Sequence, residues 1–130
     1  MTTELSILAW TLVLALAQVL LPAMLRNHET GVRYNAGPRD EPGAPAGKVT
    51  GRLLRAQRNL YETLPLFAAA ILIAHVAGRE GILTHWGAWL YLIARVVYVP
   101  MYAAGVPYLR SAVWTVSLVG LVLVLSALVR

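Results

Sequence analysis

The chain has no cysteine, which excludes disulfides, a protein thiol nucleophile and any zinc or iron–sulfur centre built on thiolates. Histidine is scarce too. His28, His75 and His85 are scattered, with no metal-ligand pair on one helix, so neither a metal site nor a haem is expected. Charged residues make up 13% of the chain, against about 25% in an ordinary soluble domain. Hydrophobic residues reach 58%, which leaves too little polar surface for a water-facing fold.

The apolar residues come in blocks. Residues 5–25 form a first run in which Gln18 is the only strongly polar interior residue. Residues 55–78, 82–106 and 111–129 form three more, each long enough to cross a hydrocarbon core of roughly 30 Å. The first run has Glu4 where a secretory signal has a basic region, and it is too long for a signal core, so it reads as a retained helix. The expected fold is all-α: an integral membrane four-helix bundle forming one domain over residues 1–130. Gly and Pro crowd the 27–51 segment, which therefore reads as a loop.

Charge suggests an orientation. Arg26, Arg33, Arg39, Lys48, Arg52, Arg55 and Arg58 lie between or at the mouths of the first two spans, and Arg110 lies between the last two. Under the positive-inside rule the long first loop is cytoplasmic and both termini are outside. These cations flank membrane spans instead of covering a soluble face, so no nucleic-acid partner is expected. Membrane lipids are the expected surroundings.

One span carries polar residues that lipid does not tolerate without cause. Arg55, Asn59 and Glu62 stand at i, i+4 and i+7, with Arg58 four residues before Glu62. At about 100° per residue they share a helical face. Intramembrane charge survives where it is paired or where it binds something polar. The third span repeats the pattern with Tyr91, Arg95, Tyr98 and Tyr102, and Arg110-Ser111 opens the fourth after a Gly105-Val106-Pro107 turn. Three elements thus bring a mainly cationic set to one depth. Guanidinium forks hold carboxylates in bidentate fashion, so the set suits a small carboxylate-bearing ligand, with Glu62 free to receive an ammonium group.

The run Arg55-Ala56-Gln57-Arg58-Asn59-x-x-Glu62-x-x-Pro65-x-Phe67, followed by Arg95-x-x-Tyr98-x-x-x-Tyr102 and Arg110-Ser111, resembles the MAPEG family, the membrane-associated proteins in eicosanoid and glutathione metabolism. The loop segments Gly31-Val32-Arg33-Tyr34 and Arg39-Asp40-Glu41-Pro42 resemble its bacterial branch, which implies a bacterial inner membrane. The resemblance implies a homotrimer binding glutathione between subunits near the cytoplasmic side. It implies a glutathione set of Arg55, Gln57, Arg58, Asn59, Glu62, Tyr98 and Tyr102, with Arg110 and Ser111 stabilising the thiolate. The implied activity is a glutathione-dependent transferase or peroxidase acting on lipophilic electrophiles or lipid hydroperoxides. The alternative is a non-catalytic trimeric lipid-binding or scaffold protein with the same fold. Thr63 stands where the leukotriene-synthesising branch has a tyrosine, and the Tyr102–Arg110 spacing is one residue shorter than in the prostaglandin branch.

Taken singly, several of these residues have plainer roles. Arg58–Glu62 reads equally as an intrahelical salt bridge, and Arg95 as a structural partner for Glu62 across the bundle. Tyr91 reads as an interfacial anchor, as does His75, while Arg26 reads as a side chain snorkelling to headgroups.

Overall fold

The computed structural model describes residues 1–130. Four long helices carry the fold: α1 (Thr3–Thr30), α3 (Lys48–Val76), α4 (Ile82–Ala104) and α5 (Pro107–Leu128), with a short α2 (Val32–Ala36) after α1. All four long helices are long and apolar enough to cross a membrane. The most apolar stretches of α3 and α4 are less hydrophobic than those of α1 and α5, because the polar strip lies on the former pair.

Local chemistry sets the ends. The Thr2 hydroxyl accepts from the Leu5 N–H, and Glu4 in the first turn of α1 complements the helix dipole. At the start of α4 the Gly81 N–H donates to Thr84 Oγ1 at 2.8 Å. Gly105, left-handed at φ 74°, ends α4 and returns its N–H to Tyr102. Pro107 then opens α5, a position where its missing N–H costs nothing.

The 27–51 segment is not all loop. It holds the last turn of α1, all of α2 and the first turn of α3. A helix need not stop at the edge of the hydrocarbon, and Glu29 gives these turns a common anchor. It accepts from Arg26 at 2.9 Å, from the Gly47 N–H at 3.1 Å and from the Thr50 hydroxyl at 2.6 Å. Arg26 also donates to the Ala44 carbonyl at 2.8 Å, so it clasps the loop.

α3 and α4 form the centre, with α1 packed against both on one side and α5 against both on the other. The closest approach is between α4 and α5, at Gly87 and Gly120. A Cβ on Gly120 would stand 2.6 Å from the Gly87 carbonyl oxygen and 2.7 Å from the Tyr91 nitrogen. Small residues at such crossings are what packing in lipid relies on. Tyr91 departs from the interfacial role expected of it. It is fully buried, its ring stacks on Phe67 at 4.0 Å, and its hydroxyl shares a 2.8 Å hydrogen bond with Thr63. The rotation of α4 set by the glycine contact turns Tyr91 inward. Thr11, Thr115, Ser117 and Ser126 satisfy their hydroxyls on carbonyls three or four residues back, which removes the cost of carrying them in apolar helices.

The two ends of the bundle differ. One gathers both termini and the α3–α4 turn. There the Thr2 hydroxyl donates to Glu80 at 2.6 Å, His75 Nδ1 sits 3.1 Å from the same carboxylate, and Arg79 donates to the Arg130 carbonyl at 2.9 Å. The Thr2 bond, with a smaller contribution from His75, holds the Glu80 carboxyl below the usual glutamate range. The other end gathers α2, the glycine- and proline-rich loop, the α4–α5 turn and most of the basic residues. Between the ends, Leu12, Leu16, Leu72, Ile93, Val119 and Val122 are among the large apolar side chains left exposed. Such a band suits lipid or neighbouring subunits.

Candidate anion-binding site

Near the basic end, α3, α4 and α5 enclose a cavity of about 390 Å³. From α3 come Arg55, Arg58, Asn59 and Glu62; from α4, Tyr98 and Tyr102. The start of α5 supplies Arg110, Ser111 and Trp114. Helical period explains the α3 set, since steps of three and four residues return to one face. The same period explains what is missing. Gln57 lies two residues from Arg55, about 200° around the helix, and does not line the cavity; its amide donates to the Tyr61 hydroxyl at 3.2 Å.

The Gly105–Pro107 turn decides the α5 contribution. It folds the chain back so that the Arg110 guanidinium lies 4.6 Å from the Tyr102 ring centre, with Arg55 at 5.8 Å from that ring. Tyr102 meets Tyr98 edge-on at 5.6 Å. The shorter spacing between Tyr102 and Arg110 therefore still delivers the arginine to the tyrosine. Thr63 is bonded to Tyr91 in the core, away from the cavity.

Neither of the ion pairs that gave these residues a plainer reading forms. Arg58 and Glu62 both line the cavity without bonding to each other. Arg95 does not pair with Glu62 either. It is 1% exposed, donates from Nη1 to Asn59 Oδ1 at 2.8 Å, and stacks its guanidinium over Tyr98 at 4.4 Å. Its Nε and Nη2 have no partner. Glu62 is exposed and lines the cavity, and no ion pair joins it to Arg95. Since arginine can only donate, Asn59 must give it the amide oxygen, and the two amide N–H donors are left for the cavity.

Arg95 thus separates stability from binding. Arg95 is a buried charge with no carboxylate partner and two unpartnered nitrogens, so its desolvation is largely uncompensated. Arg95→Met is therefore expected to keep or raise the melting temperature in detergent. Binding of an anionic ligand should weaken by roughly tenfold, as Asn59 loses the bond that orients it. A lower melting temperature with unchanged binding would reverse the assignment.

Sequence reasoning overlooked Trp114. It stands four residues after Arg110, so the periodicity that found the α3 strip could have found it. Arg26, tied to Glu29 and Ala44, does not line this cavity. A cavity of about 480 Å³ at the opposite end is bordered by the α3–α4 turn and Arg130, without a convergent cationic set.

The family model described as the MAPEG family matches residues 7–130, almost the whole chain. Comparison with curated proteins and with solved structures gives no match.

Proposed function

This chain belongs to the MAPEG family, and we propose that it is a glutathione-dependent membrane transferase or peroxidase acting on lipophilic electrophiles or lipid hydroperoxides. Members of the family are mostly glutathione-dependent transferases and peroxidases. The observation that carries the proposal is the charge content of the cavity: three guanidinium groups, one carboxylate and an oriented amide within about 390 Å³. Glutathione offers the complement, two carboxylates and one ammonium, and the volume lies within the roughly 300–1,000 Å³ of small-molecule sites.

In this proposal Arg55 and Arg58 take the carboxylates, Glu62 takes the ammonium, Asn59 donates from its amide, and Tyr98 and Tyr102 form the wall. Arg110 faces the thiol, with Ser111 beside it. A free thiol has a pKa of about 8.5, and a nearby guanidinium lowers it by favouring the thiolate. The thiolate then attacks the electrophilic carbon of the apolar co-substrate, displacing its leaving group or adding to an activated double bond. With a hydroperoxide it takes the terminal oxygen as the O–O bond breaks and an alcohol leaves. A second glutathione then converts the resulting sulfenic acid to the disulfide and water. Trp114, one turn along α5 from Arg110, offers that co-substrate a flat apolar surface. The positive-inside rule puts the basic end on the cytoplasmic side, with both termini outside. In a homotrimer the exposed apolar flanks would meet, and the open side of each cavity would face a neighbour. The loop resemblance favours the bacterial branch and an inner membrane.

Calorimetric titration of the detergent-purified protein with glutathione tests this, with Arg55→Ala as the control. Saturable binding that is lost in the variant is the expected result. No binding at millimolar glutathione would overturn the proposal and put the non-catalytic lipid-binding or scaffold function in its place.

A further inference from the structure

Beside the first cavity a second one, of about 250 Å³, opens between the start of α3 and the α4–α5 turn. Arg52, Arg55 and Arg110 line it along with Tyr102 and the turn, and no acidic side chain does. Three guanidinium groups gathered without a carboxylate repel one another, and next to a membrane span the arrangement calls for an anion.

Each arginine is held in place yet left with donors to spare. Arg52 gives one N–H to the Ala103 carbonyl at 3.1 Å. It lies so close to Gly105 that a Cβ there would be 2.7 Å from its Cζ. Arg55 leans back along α3, with Nη1 3.4 Å from where a Cβ on Gly51 would stand. Arg55 and Arg110 rest on Tyr102, which lines both cavities. The start of α5 adds to the field. Its N-cap, Val106, provides no side-chain hydrogen bond, so the first N–H groups and the positive end of the dipole stay uncompensated.

We propose that Arg52, Arg55 and Arg110, with the uncapped start of α5, form a phosphate-binding subsite that adjoins the first cavity and shares Arg55 and Arg110 with it. A phosphate group, with up to two negative charges and several acceptor oxygens, matches three donor forks and a helix N-terminus better than a carboxylate with one charge. At about 30 Å³ per water, the cavity holds such a group with part of its hydration. A lipid headgroup and a soluble phosphate share this chemistry, and the place of the subsite at the polar end of the bundle admits both. Arg52 lines only this cavity and Arg58 only the first, so phosphate binding is testable without glutathione.

The test has two arms, both at constant ionic strength because exposed charges are screened by salt. In the first, phospholipid-free protein in neutral detergent is titrated with inorganic phosphate. In the second, protein in nanodiscs of phosphatidylcholine with or without phosphatidylglycerol is assayed by native mass spectrometry for retained lipid. The variants are Arg52→Gln, which keeps a donor for Ala103 but no charge, Arg52→Lys as a second fold-preserving change, and Arg58→Gln as an equal charge loss in the first cavity. Saturable phosphate binding, weakened about tenfold in Arg52→Gln and little changed in Arg58→Gln, is the expected result in the first arm. Selective retention of phosphatidylglycerol that Arg52→Gln loses supports the subsite through the lipid source. Phosphate binding without lipid selectivity supports it through the soluble source. Binding sensitive to Arg58→Gln but indifferent to both Arg52 variants would put the phosphate in the first cavity and overturn the proposal. So would the absence of saturable binding in both arms.

Discussion

Arg110→Ala is expected to lower thiol-dependent turnover by about 10²–10³-fold, the range typical of removing one donor from a developing anion. Glutathione affinity should change by less than about threefold, because the interaction is made chiefly with the thiolate and not with the bound thiol. In that division Arg55 and Arg58 would hold the carboxylates from α3, while Arg110 reaches the same cavity from α5 and packs more closely on Tyr102 than Arg55 does. The pH profile gives a sharper readout. Without the guanidinium the thiol pKa returns toward about 8.5, so the thiolate fraction becomes pH-limited below that value. The activity of the variant should therefore climb between pH 7 and 9 more steeply than that of the wild type. Arg110→Lys keeps the charge without the fork and should recover part of the rate. Arg55→Ala and Glu62→Ala should show the opposite pattern, with weaker binding and most of the turnover retained at saturation. Parallel loss of affinity and turnover in Arg110→Ala, with no change in the pH profile, would make Arg110 a carboxylate anchor instead.

Gly120→Ala should destabilise the bundle by about 3 kcal/mol or more, at or beyond the upper end of ordinary overpacking. An alanine in a helix interior normally gains about 1 kcal/mol over glycine. Here the new methyl would meet the Gly87 carbonyl oxygen at 2.6 Å and the Tyr91 nitrogen at 2.7 Å, and neither backbone atom can yield unless α4 and α5 move apart. The clash outweighs the propensity gain. Gly51→Ala is the contrast. In α3 a Cβ at that position meets only the tip of Arg55 at 3.4 Å, so the usual gain of roughly 0.4–1 kcal/mol should appear. Unfolding of both variants in mixed micelles checks the pair, and a more stable Gly120→Ala would contradict the helix crossing itself. Because α4 carries Tyr102 and α5 carries Arg110, separation at the crossing should also loosen the cavity.

Much of the molecule could be read without coordinates. Blocks of apolar residues are a one-dimensional signal, and the hydrocarbon core sets their length, so four spans followed directly. The α3 strip was legible for a similar reason. Residues on one helix keep a fixed angular relation, which put Arg55, Arg58, Asn59 and Glu62 together; the same relation, applied strictly, would have removed Gln57 from α3 and added Trp114 on α5. What the sequence could not supply was the rotation of one helix against the next. Tyr91 has the composition of an interface anchor, yet contact between Gly87 and Gly120 turns it into the core beside Phe67. Arg95 had a plausible acid partner in Glu62 and took Asn59 instead, because the two carboxylate-bearing and amide-bearing positions differ in which of them faces inward. The junction of the two cavities depends on the Gly105–Pro107 turn, which carries Arg110 back to Tyr102 and brings Arg52 against Gly105. Periodicity along a helix is a property of the chain alone. Contacts between helices arise only when side-chain shapes on different segments meet, and at those contacts the tertiary structure assigned partners that spacing left open.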